Sequence, residues 1–143
     1  MIVVGTKNLN TNKIMSHQSS NQSRSKNGND FEAYFTQMTG IKKMKKKDKP
    51  TFTNIHGLEQ LIDFDFSTII NGEKIYIDVT TTYRSDRQKQ KAYNAMMMKT
   101  KLNEDCKFYM VIKSLTENGK KKTVNLLEGM DHVIEIDEFI KLL

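Results

Sequence analysis

The chain has no tryptophan, one proline and one cysteine in 143 residues. A single cysteine, Cys106, excludes an internal disulfide and fits a reducing compartment. It precedes an apolar run and has no histidine near it in sequence, so it reads as a buried structural residue rather than a nucleophile. Long apolar runs are missing too. None approaches the roughly 18 residues of a membrane span, and no signal-peptide pattern opens the chain. These absences predict a cytoplasmic protein with no membrane partner. Hydrophobic residues make up 37% of the chain and mean hydropathy is −0.61, low for a globular protein, and nine methionines give an adaptable core. The length suits one domain, since a chain of about 150 residues buries roughly 68–70% of its unfolded surface.

Charge is the first positive feature. Lysine and arginine number 23 against 17 acids, for a net charge of +6, which favours a polyanion and supplies the salt-sensitive part of nucleic-acid affinity. Six of the lysines (Lys42, Lys43, Lys45, Lys46, Lys47 and Lys49) fall in eight residues ahead of Pro50. A run this dense is expected to be a solvated loop or arm, with contact to a DNA backbone as its functional reading and simple solubility as the alternative. Residues 1–29 are polar and aperiodic after MIVVG. They predict a mobile segment in which Arg24 and Lys26 are phosphate contacts or plain solvated charges.

The chemistry concentrates in Leu61–Arg87, LIDFDFSTIINGEKIYIDVTTTYRSDR. Two β-prone runs flank Asn71-Gly72, the signal for a two-residue type I′ hairpin turn in which both residues need positive φ. That turn pairs Ile70 with Glu73, Phe66 with Ile77, Asp65 with Asp78 and Asp63 with Thr80. Alternation then puts Ile62, Phe64, Phe66, Ile77 and Val79 on a core face, and Asp63, Asp65, Asp78 and Thr80 on an acidic one. Opposed like charges are destabilising unless something neutralises them. A hard divalent cation does so with one or two carboxylates, waters and substrate phosphates, which makes Asp65 and Asp78 candidate Mg²⁺ ligands. The alternative is an ordinary solvated polar face.

Around the hairpin, Asn29 or Asp30 can cap a helix over FEAYFTQM that Gly40 ends, with Phe31, Phe35 and Met38 on one stripe. His56-Gly57 marks a turn. Ser85-Asp86 can cap a second helix, with Ala92, Ala95, Met96 and Lys99 on one face. CKFYMVI, residues 106–112, reads as a buried strand, and the strand–helix–strand order favours a parallel pair. HVIEIDEFIKLL closes the chain as strand and helix. The expectation is an α/β domain with a mixed β-sheet, a central hairpin and flanking helices.

An acid on one hairpin strand, a second within an apolar-acid-apolar run on the next, and a polar helix after it resemble the PD-(D/E)XK nuclease superfamily. Small type II restriction endonucleases are its nearest likeness. Upstream, Gly28-Asn29-Asp30-Phe31-Glu32 opening a helix is similar to the first helix of several restriction enzymes, and Glu32 matches their glutamate near the metal. The similarity spans residues 17 to about 99. The family lysine, two residues after the second acid, is Thr80 here, so the resemblance points to Lys89 or Lys91 on the next helix as its replacement. It implies a restriction-endonuclease-like fold and a Mg²⁺-dependent endonuclease of double-stranded DNA. Asp65 and Asp78 would hold the metal, with Asp63 and Glu32 outside them, and Lys43, Lys45, Lys46, Lys47, Arg84 and Arg87 would face DNA. A chain covering one half-site implies a homodimer or a partner subunit. Thr80 supports the alternative, a non-catalytic nucleic-acid-binding protein on a degenerate nuclease fold.

Overall fold

In the computed structural model the residues described are 26, 28–115 and 126–143. Arg24 and the lysines at 120–122 lie outside them. Helix α1 covers 28–39. The strands are β1 (Thr51–Thr53), β2 (Glu59–Leu61), β3 (Phe66–Ile70) and β4 (Glu73–Thr80). Helix α2 (Ser85–Thr100), β5 (Lys107–Ile112), β6 (His132–Glu135) and α3 (Ile136–Ile140) complete the order. One four-stranded sheet runs β3-β4-β5-β6, with β3 antiparallel to β4 and the other two pairings parallel; β1 and β2 form a separate antiparallel pair. This is the expected α/β architecture. No helix among the described residues is long and apolar enough to cross a membrane.

The turn chemistry sets the antiparallel edge of the sheet. Asn71 and Gly72 both hold positive φ, at 52° and 80°, as a type I′ turn requires, and the ladder pairs Ile70 with Glu73 and Phe66 with Ile77. From β4 the chain crosses through α2 to β5, whose Tyr76–Phe108 and Asp78–Met110 pairs put those side chains on one face.

Both faces of the sheet are buried, unlike the half-solvated hairpin expected. Ile75, Ile77, Val79, Tyr109 and Val111 pack with Phe31 and Phe35 of α1 and Ile136 and Phe139 of α3. The opposite face packs Tyr76, Phe108, Met110 and Ile112 against Ala92, Ala95 and Met98 of α2. Burial on both faces is the usual state of parallel strands with crossover helices, and it explains the near-continuous apolar run of β5.

The predicted alternation fails at one place. Ile62 and Phe64 belong to the α2 layer, whereas Phe66, Ile77 and Val79 belong to the other. Residues 62–64 are not strand and Asp65 is a bend, so the chain changes layers between Phe64 and Phe66. Asp63 therefore has no partner in the β3–β4 ladder and does not face Thr80.

Two helix details also differ. Asn29 and Asp30 lie inside α1 rather than at its cap, and Met38 is exposed while Phe31 and Phe35 are buried. In α2 the N-cap is Arg84, and Met98 takes the core position expected of Met96. Gly40, at φ 76°, ends α1 as expected, with its N–H donating to the Thr36 carbonyl. The lysine run is not free either. Lys43 bridges to Phe66, Lys46–Asp48 form a 3₁₀ turn, and Lys49 is tied to Asp63.

Candidate active site

Asp78 sits near the C-terminal end of β4 with 3% of its surface exposed. A buried carboxylate is costly unless paired, and this one has two cationic partners from one face of α2. Arg87 donates through Nε to Asp78 Oδ2 at 2.9 Å and through a terminal nitrogen to Oδ1 at 3.2 Å. Lys91 Nζ lies 3.3 Å from Oδ1. The two cations are four residues apart, one turn of helix, and so project toward the same strand. The fork geometry of arginine suits bidentate pairing, while lysine brings a point charge.

Asp65, at the bend leading into β3, completes the acidic pair. Its Oδ2 accepts the Val79 N–H at 3.2 Å and lies 3.9 Å from Arg87, and its charge acts on the Asp78 carboxyl. Burial pushes the Asp78 carboxyl well above the ordinary range and the Asp65 charge pushes it further, outweighing the opposing pull of Lys91 and Arg87.

Lys91 is held by more than Asp78. Its ammonium donates to the Asp63 carbonyl at 3.1 Å, an oxygen that also accepts from Asn94 at 3.0 Å. The Asp63 carboxylate faces outward and takes a hydrogen bond from Lys49 at 2.6 Å, which holds it below the usual carboxylate range. Lys89 is exposed and carries no contact to the acids. Of the two lysines singled out from the sequence, the structure brings Lys91 to the acidic pair.

A cleft of about 920 Å³ opens beside this cluster. It is lined by Gly28, Asn29 and Glu32 of α1, by Val79–Thr82 and by Arg84 and Arg87. Glu32 pairs with Lys43 at 3.1 Å, and the hydrogen bond raises the Lys43 ammonium. Arg84 is engaged on the surface with Asp86. Lys26, Lys45, Lys46 and Lys47 are exposed.

Arg87, expected to face DNA, has its guanidinium on Asp78 and also lines the cleft. The pairing with Asp78 is what sequence reasoning missed, and the spacing Arg87–Lys91 after a strand that carries an acid was its signal.

No group of three or more histidine, cysteine or acidic side chains is placed to hold a metal ion among the described residues. The donors offered are Asp65 and Asp78. Two carboxylates completed by water and substrate phosphate are the usual protein contribution to a Mg²⁺ site, and here both oxygens of Asp78 are engaged by Arg87 and Lys91. Searches of family models, curated proteins and solved structures find no match to this chain.

Proposed function

We propose that the protein is a Mg²⁺-dependent endonuclease that hydrolyses phosphodiester bonds of double-stranded DNA. The observation that carries this reading is Asp65 beside the buried Asp78, with the Lys91 ammonium 3.3 Å from Asp78, next to a cleft lined in part by Arg84 and Arg87. Thr80 leaves the usual lysine position on β4 empty of charge, and Lys91 brings an ammonium to the same acid from α2. Asp65 and Asp78 would hold the metal. When bound, Mg²⁺ supplies a water of lowered pKa and neutralises the scissile phosphate. Lys91 stabilises negative charge as it develops on the phosphoryl group, at a point fixed by the Asp63 carbonyl. Arg84 and Arg87, which line the cleft, would contact phosphate on leaving their carboxylate partners, and Glu32 would orient solvent there. A single chain presents one such site, so cutting both strands calls for a homodimer or a partner subunit.

The bidentate Arg87–Asp78 pair favours a second reading. A guanidinium already neutralises the acid, as it would in a nucleic-acid-binding protein without catalysis. Cleavage of phage DNA with Mg²⁺ or with chelator separates the two. Asp78→Ala should abolish cleavage and leave DNA retardation in place; cleavage retained by this variant refutes the nuclease assignment.

A further inference from the structure

The β1–β2 hairpin holds two large apolar side chains away from both cores. Ile55 is 85% exposed and Leu58 63%, on the turn between Thr53 and Glu59. Their exposure is built in. Asn54 Oδ1 accepts the N–H groups of His56 at 2.9 Å and Leu58 at 3.0 Å, and Asn54 and Gly57 are joined by a further backbone bond. Gly57 supplies the positive φ, 78°, that the turn requires. The root of the hairpin is equally firm. Phe52 is buried in the α2 layer and faces Tyr93, Ile62 N–H donates to the Pro50 carbonyl, and Lys49 pairs with Asp63.

The segment feeding this arm carries the exposed lysines Lys42, Lys43, Lys45, Lys46 and Lys47, the last two in the 3₁₀ turn just before Pro50. Three strand residues at about 3.3 Å each put the tip roughly 10 Å beyond that turn. A rigid apolar tip above a cationic base matches a nucleic-acid duplex, whose phosphates take the lysines while an apolar wedge enters between base steps. A second copy of this chain would bring the same lysines to the contact, and like charges oppose it.

We infer that the β1–β2 hairpin is a duplex-probing arm, with Ile55 and Leu58 inserting as a wedge and Lys45, Lys46 and Lys47 anchoring the flanking backbone. The inference rests on the nucleic-acid reading above and does not depend on catalysis. It predicts different salt behaviour for tip and base. Binding to a mixed-sequence duplex in chelator is measured by fluorescence anisotropy across a salt series. Ile55→Ser/Leu58→Ser should weaken binding about tenfold at every salt concentration and leave the slope of log K against log salt unchanged. Lys45→Gln/Lys46→Gln/Lys47→Gln should flatten that slope by about 2–3, since each neutralised phosphate contributes roughly 0.9. Because the chain lacks tryptophan, Leu58→Trp is a clean reporter whose emission should be quenched when duplex is added.

Wild-type affinity in the serine double variant, or unchanged emission from Leu58→Trp at saturating duplex, overturns the arm while DNA binding by the wild type stands. A wild-type dimer that the serine variant converts to monomer in sedimentation reassigns the tip to a subunit contact. Failure of the wild type to bind duplex at any salt removes both the arm and the reading beneath it.

Discussion

Lys91→Met keeps the length and apolar stem of the side chain and removes its ammonium. The charge removed lies 3.3 Å from Asp78 Oδ1, with 10% of the lysine side chain and 3% of the aspartate side chain exposed. At an effective dielectric of about 20 the pair attracts by about 5 kcal/mol. Arg87 remains on Asp78 after the change, so the net loss is about 3 kcal/mol, at the lower end of the range for breaking a buried pair. The loss depends on pH, and the sign follows from Asp78. Its folded-state pKa is raised above the unfolded value near 4, so the native state binds this proton more tightly. Its contribution to stability is therefore fully present below about pH 4 and is lost as pH rises through the raised value. At pH 5 the acid keeps its proton and lacks a charge for Lys91 to neutralise, so Lys91→Met costs on the order of 1 kcal/mol there, the net worth of its hydrogen bond to the Asp63 carbonyl. At pH 8 the full deficit appears, equivalent to roughly 10 °C in Tm for a domain of this size. Thermal unfolding of both proteins at the two pH values measures it. Equal deficits at pH 5 and pH 8 would refute the claim that Lys91 serves the Asp78 charge.

Other consequences are more local. Gly129 has φ 98°, and a Cβ there would stand 2.9 Å from the Ala92 carbonyl and 2.9 Å from Met96 Cγ on α2. Gly129→Ala should destabilise by about 2–3 kcal/mol in urea unfolding, from strain plus overpacking. Cys106 is buried, which pushes its thiol up to about 11, so a thiol reagent at pH 8 should react only at the rate of unfolding. Arg87→Gln removes the guanidinium that competes for Asp78, and calorimetric titration should show Ca²⁺ or Mn²⁺ binding at least tenfold tighter than in the wild type without DNA.

Much of the fold was legible because local and global signals agree. Asn71-Gly72 dictates one turn and hence one register, and CKFYMVI has the length and composition of a strand buried on both faces. The final strand and helix also lie where periodicity puts them. The bend at 62–65 was not legible, since alternating Ile62, Phe64 and Phe66 looks the same whether they share a face or divide between two cores. Which side chains meet Asp78 was only half legible. The resemblance pointed to α2 as the source of an ammonium, but Lys89 and Lys91 differ only in their rotation about the helix, and that is set by how Ala92, Ala95 and Met98 seat against the sheet. The partner of Arg87 was hidden for a related reason. A surface arginine and one turned onto a buried acid have the same sequence signature.

The crossing at Asp65 bears on how the chain tolerates changes of length. Phe64 and Phe66 are both fully buried, one in each layer, with the acid between them. Inserting or deleting one residue here would send a phenylalanine to the wrong layer and swing the carboxylate away from Val79 and Asp78 together. At the Asn54–Leu58 turn an added residue would leave both cores in place and break only the local Asn54 bonds that hold Ile55 and Leu58 outward. Along this stretch of the chain, descent should therefore hold the spacing of Phe64-Asp65-Phe66 for the sake of the two cores, and hold the neighbouring turn only where its tip is used.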